Sequence, residues 1–160
     1  MPNWIEGTLK LRGKTEGLKK FFTEYLETPA YHLGILPAPE IDEFIKFDFD
    51  DYGQEYEVTI KDEPHIKGSR RAFLGEDDFI DWGGAQSSTI ALTIKQAWNF
   101  DVEPFVAISK ECGLDVRLYG FECGMEFCQE IEIIGGEVIF DNTIKYDDWY
   151  WECPMPRLGG

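Results

Sequence analysis

From Trp4 to Arg12 the side chains alternate. Ile5, Leu9 and Leu11 fall on one side, and Glu6, Thr8, Lys10 and Arg12 on the other. A period of two is the mark of a strand with one dry face and one wet face. Such a strand needs a second layer to cover its dry face, and the sequence supplies two amphipathic helices. Leu18, Phe21, Phe22, Tyr25 and Leu26 recur at helical spacing, between a cap at Thr15 and a stop at Thr28-Pro29. Asp101 starts a second helix that runs through Glu111, with Pro104 tolerated in its first turn and Gly113 closing it.

Further strands follow the same rule. Ile45, Phe47 and Phe49 alternate, as do Tyr56, Val58 and Ile60, and the turn at Asp50-Asp51-Tyr52-Gly53 makes the two segments a hairpin. Ile90, Leu92 and Ile94 mark a central strand over Ser88 to Ala97. Strands are also predicted at Leu114 to Tyr119, Met125 to Ile134 and Glu137 to Phe140, the last two joined by a Gly135-Gly136 turn. Lys61 to Ser87 has little periodicity and reads as a long loop. The order predicts an α+β domain of ferredoxin-like sandwich type, a mostly antiparallel sheet with two helices on one face. One domain spans residues 1–160, with a hairpin and loop inserted at about 37–87 and an aromatic-rich tail at about 147–160, expected on the domain surface.

Charge narrows the function. Thirty-one acidic residues face fifteen basic ones, a formal net charge of -16. That excess repels nucleic acid and anionic membranes at long range and favours basic partners. The four cysteines, Cys112, Cys123, Cys128 and Cys153, form no Cys-x-x-Cys pair, and the histidines are His32 and His65 alone. Structural zinc needs closely paired ligands, so no metal or other cofactor is expected. No apolar run approaches the ~20 residues of a membrane helix. Met1-Pro2-Asn3-Trp4 leads straight into a strand pattern, so the expectation is a cytoplasmic protein with reduced thiols.

The candidate binding residues are carboxylates and aromatics. In the strand predicted at Met125 to Ile134, Glu126, Glu130 and Glu132 share the face opposite Met125, Phe127, Ile131 and Ile133. Same-face neighbours on a strand lie ~6–7 Å apart, close to the spacing of phosphates along a nucleic-acid strand. Asp48, Glu55 and Glu57 of the hairpin are expected to extend that face, and Asp77 and Asp78 add charge from the loop. Trp149 and Trp151, beside Tyr150, Pro154 and Pro156, suit a protein-binding anchor. Glu76, Asp77, Asp78 and Asp81 offer hard oxygen ligands, but not at calcium-loop spacing. Cys123 or Cys128 with His32 or His65 would make a nucleophile and base only if the fold joined them. Base stacking on the open sheet, helped by Lys10, Arg12, Lys67, Arg70 and Arg71, lacks the usual aromatic-basic signature and is opposed by the global charge.

The opening Met1-Pro2-Asn3-Trp4 with a strand ending at Gly13, then Gln96-Ala97-Trp98, Gly124, Phe127 and Gly135-Gly136-Glu137, resembles the YubB-type ferredoxin-like proteins of plasmids and bacteriophages. Ile5 stands where members often carry Cys. The resemblance implies a ferredoxin-like fold and a mobile-element setting, and no reaction. With the charge, it leads to the expectation of a non-enzymatic accessory protein in the host cytoplasm. Such a protein would bind and inhibit a basic host protein, such as a defence nuclease, by imitating nucleic acid. It would contact neither membrane nor nucleic acid directly. The alternatives are a metal-dependent nuclease using Asp77 and Asp78, and a structural or housekeeping module.

Overall fold

The computed structural model describes residues 2–28, 44–49, 51–53, 55–75, 80–81 and 86–160. The elements in chain order are β1 (Trp4–Lys14), α1 (Thr15–Glu24), β2 (Leu26–Glu27), β3 (Ile45–Phe49), β4 (Glu55–Ile60), β5 (His65–Ile66), β6 (Ala72–Leu74), β7 (Ile80–Asp81), β8 (Ser87–Ala97), α2 (Val102–Cys112), β9 (Leu114–Glu122), β10 (Phe127–Ile134), β11 (Glu137–Lys145) and α3 (Trp149–Glu152). Eight strands form one antiparallel sheet in the order β11-β10-β9-β1-β8-β6-β5-β2, and β3-β4-β7 form a separate sheet. The chain is thus an α+β protein dominated by antiparallel sheet.

The alternation of β1 sets the register. Leu9 lies opposite Leu92 of β8 and Leu118 of β9, so three apolar side chains line up across the centre. Ile5, Leu11, Ile94, Val116, Ile131 and Ile133 join them, and Leu18, Phe21 and Phe22 of α1 with Phe105 and Ile108 of α2 cover this face. Burying each such side chain contributes roughly 1.5–3 kcal/mol. Gly7 and Gly120 stand opposite each other, and a Cβ on Gly120 would sit 2.6 Å from the buried Phe100 ring. Glycine there leaves room for that ring.

Several boundaries differ from the sequence reading. Thr15 opens α1 and Lys14 holds the cap position. The helix ends at Glu24, with Tyr25 at its C-cap, because Leu26 leaves to pair with Ile66 of β5. The stretch read as a long loop carries β5, β6 and β7. These strands have two or three residues each, too short to show a period. The hairpin β3-β4 forms as expected, but in its own sheet. β11 continues to Lys145 instead of ending at Phe140. Ile133 pairs with Val138 and Glu132 with Phe140, so Ile139 is an extra residue that shifts the phase of the alternation.

The tail folds back over the sheet face that the helices leave open. Trp149 and Cys153 pack on Phe121 and Cys128, flanked by Tyr119 and Ile144. The Trp149 indole N–H donates to Pro156 O at 2.8 Å, and Gly160 N–H donates to Trp4 O at 2.8 Å.

Candidate partner-binding surface

The three glutamates expected on one strand face occupy different settings. Glu126 lies in the β9-β10 turn, exposed, with φ +55°. Glu122 builds that turn: its buried carboxylate accepts from Gly124 N–H at 2.8 Å and from Met125 N–H at 2.7 Å. A carboxylate removed from water needs such donors. Glu130 and Glu132 lie half-buried on the open face of β10, opposite Tyr119 and Arg117 of β9. Arg117 pairs with Glu130, and Arg12 donates to Asp115 at 2.6 and 2.9 Å. Lys10 lies opposite Arg117 in the same register. The open sheet face therefore alternates cations with anions, which is not a continuous carboxylate row.

Asp48 does not extend this face, because β3 and β4 belong to the other sheet, and Lys46 pairs with it at 2.7 Å. Asp77 and Asp78 lie outside the described residues. Trp149 is 3% exposed and holds the tail down, so it has no surface to offer a partner. Trp151 is 86% exposed and Tyr150 68%. Asp148 positions this turn by accepting from Trp151 N–H at 3.2 Å.

One acid-rich segment lies at an end of the sheet. From Glu122 to Glu152 the chain carries Glu122, Glu126, Glu130, Glu132, Glu137, Asp141, Asp147, Asp148 and Glu152, against the single cation Lys145. β11 runs through the middle of this segment as the last strand of the sheet, with all its residues exposed except the half-buried Ile144. Sequence reasoning missed Glu137 and Asp141 as a group on a sheet edge. The sequence signal was weak, because polar Asn142 interrupts the apolar positions Phe140 and Ile144 beyond the bulge.

Cations and aromatics meet elsewhere. Arg70 lies over Trp98 at 4.9 Å, and Arg71 and Lys95 lie over Trp4 at 5.5 and 6.0 Å. Lys95 also pairs with Glu63 at 2.8 Å, and Arg70 with Asp101 at 3.5 Å. Those pairs make this cluster a clasp between chain segments. His65 Nδ1 lies 2.9 Å from Glu27, and its Nε2 lies 3.3 Å from Ser69 Oγ. The Ser69 hydroxyl donates instead to Ile66 O at 2.6 Å and accepts from Ala72 N–H, so it braces the β5-β6 turn.

Burial holds two of the thiols protonated. Cys153 of the tail lies 4.0 Å from Cys128 of β10, and burial, reinforced by Cys153, pushes the Cys128 thiol up to about 12. Burial raises Cys112 to about 11. His32 lies outside the described residues, and Cys128 contacts the tail. Among the described residues no group of three or more His, Cys, Asp and Glu side chains could hold a metal ion, and no helix is long and apolar enough to cross a membrane. Comparison with family models, with curated proteins and with solved structures finds no match to this chain.

Proposed function

We propose that this protein acts by binding a cationic protein partner at the acid-rich end of its sheet. The supporting observation is the collection of Glu126, Glu137, Asp141, Asp147, Asp148 and Glu152 around an exposed terminal strand, with Lys145 the one cation of that segment. Opposite potentials raise encounter rates and suppress wrong partners. Trp151, nearly fully exposed two residues after buried Trp149, suits an aromatic anchor beside that charge. The wider reading is a mobile-element accessory protein of the host cytoplasm, whose target is a nucleic-acid-binding host protein such as a defence nuclease. On this reading the acidic end competes with nucleic acid for the target's basic groove.

The finer fold reading belongs to the same proposal. Taken in chain order, β1, α1, β6, β8, α2 and β9 give a β-α-β-β-α-β sequence within one sheet, with α1 and α2 packed together. That order supports a ferredoxin-like core and is compatible with a YubB-type origin.

Affinity capture from host lysate at low and moderate salt tests the function. The expected result is recovery of a strongly basic protein, with capture falling steeply as salt rises and lost when Glu126, Glu137 and Asp141 are replaced by lysine. Capture indifferent to both salt and reversal would remove the proposal.

A further inference from the structure

We infer that β11 is a docking edge onto which the partner adds an extended segment alternating basic and apolar residues, as a ninth strand of the large sheet. The inference rests on the proposed cationic partner and specifies how that partner is held.

The two ends of the sheet differ in what they offer. Among the described residues β2 ends the sheet with two residues, whereas β11 ends it with nine. A terminal strand presents a row of backbone donors and acceptors that another chain can use. Natural edges are blunted by short length, lysine, proline or bulges. β11 carries a bulge at Ile139 and a lysine only at its last residue, which leaves Phe140 to Ile144 regular. Ile139 is 55% exposed, and Ile134, Val138 and Phe140 are exposed beside it.

The register specifies the occupant. Phe140, Asn142 and Ile144 share the face of Glu132, Glu130 and Cys128, while Asp141 and Thr143 share the face of Ile131 and Gln129. Residues opposite one another on neighbouring strands point to the same face. Over the regular stretch Phe140 to Ile144 an added strand meets apolar side chains at Phe140 and Ile144 on one face and a carboxylate at Asp141 on the other, whereas before the bulge Glu137 lies on the Phe140 side and Val138 on the Asp141 side. Alternating apolar and basic residues satisfy both faces. A second copy of this chain does not suit the edge, because it would bring an equally acidic end and a further net charge of -16.

The test is backbone amide exchange on the full chain with a nine-residue blocked peptide alternating lysine and valine. Exchange of β11 amides is expected to slow at least about tenfold at saturation, with β1 and β8 unchanged. Replacing lysine by glutamate in the peptide should abolish the protection. Because alternate amides of a strand face opposite sides, two peptides N-methylated on alternate residues should differ, one binding at least about tenfold more weakly than the other. Proline at position 142 and proline at position 143 serve as paired variants, Asn142→Pro and Thr143→Pro. The one whose amide faces outward should fold normally and lose the peptide.

Protection confined to other elements, or equal binding of both methylated peptides, overturns strand addition while leaving a cationic partner in place. Absence of any cationic-peptide binding at low salt also overturns it. So does sedimentation showing a dimer that Asn142→Pro or Thr143→Pro dissolves. If the lysate yields no basic protein while the peptide still protects β11, the functional reading fails and the docking edge stands.

Discussion

The two ends of the eight-stranded sheet are built to opposite plans. Near β2, the strands are two or three residues long and a buried polar group ties them together, with His65 between Glu27 and Ser69. Near β11, the terminal strand is nine residues long, exposed, acidic and partly apolar. One end spends its side chains on holding the fold, and the other leaves them to solvent or to a partner. The lesson is that net charge alone does not locate a binding surface here. The open sheet face is balanced by Lys10, Arg12 and Arg117, whereas the segment Glu122 to Glu152 around the terminal strand carries nine acids against Lys145 alone.

The sharpest way to break this comparison is truncation. Leu74 of β6 is fully buried, so Leu74→Ala should cost about 2–5 kcal/mol. Val138→Ala on β11 should stay within about 0.5 kcal/mol. Urea midpoints measure both, and similar losses would mean that the open edge is structural after all.

Tail docking comes next. Because burial raises the Cys128 thiol from its usual value near 9 to about 12, the folded protein holds that proton more tightly than the unfolded chain. The associated stability is therefore complete below pH 9 and is lost as pH rises toward 12. Melting temperature should fall across that window, and Cys128→Ala should flatten the decline. Alkylation at pH 8 should reach half-buried Cys123 before Cys128 or Cys153. Trp149→Ala, by loosening the tail, should speed the reaction of Cys128.

The smallest effect is expected on the balanced face. Arg117 is about half exposed, so Arg117→Ala should cost about 0.2–1 kcal/mol by denaturant unfolding. The same change leaves the acid-rich end intact and should not weaken a cationic partner.

Long regular stretches were legible in the sequence. β1, β8 and the β3-β4 hairpin alternate over five or more residues, and α1 and α2 repeat at helical spacing. β2, β5, β6 and β7 are too short for a period, so tertiary pairing alone defines them. The bulge at Ile139 hid the second half of β11. Glu126 looked continuous with Glu130 and Glu132 because a turn residue at +55° leaves no trace in alternation. Trp149 and Trp151 looked equivalent in the sequence, yet residues two apart on a helical turn face opposite ways, so one is buried and the other exposed.

The most direct test compares two triple charge reversals of equal size on the captured partner's affinity. One changes Glu126, Glu137 and Asp141 to lysine, and the other changes the exposed helix residues Glu16, Glu24 and Glu103 to lysine. A binding surface at the acid-rich end requires the first variant to lose at least about tenfold in affinity at physiological salt, where charges beyond ~8 Å are largely screened, and the second to lose far less. Equal losses from both would show that only the overall charge matters, and would contradict a binding surface at that end.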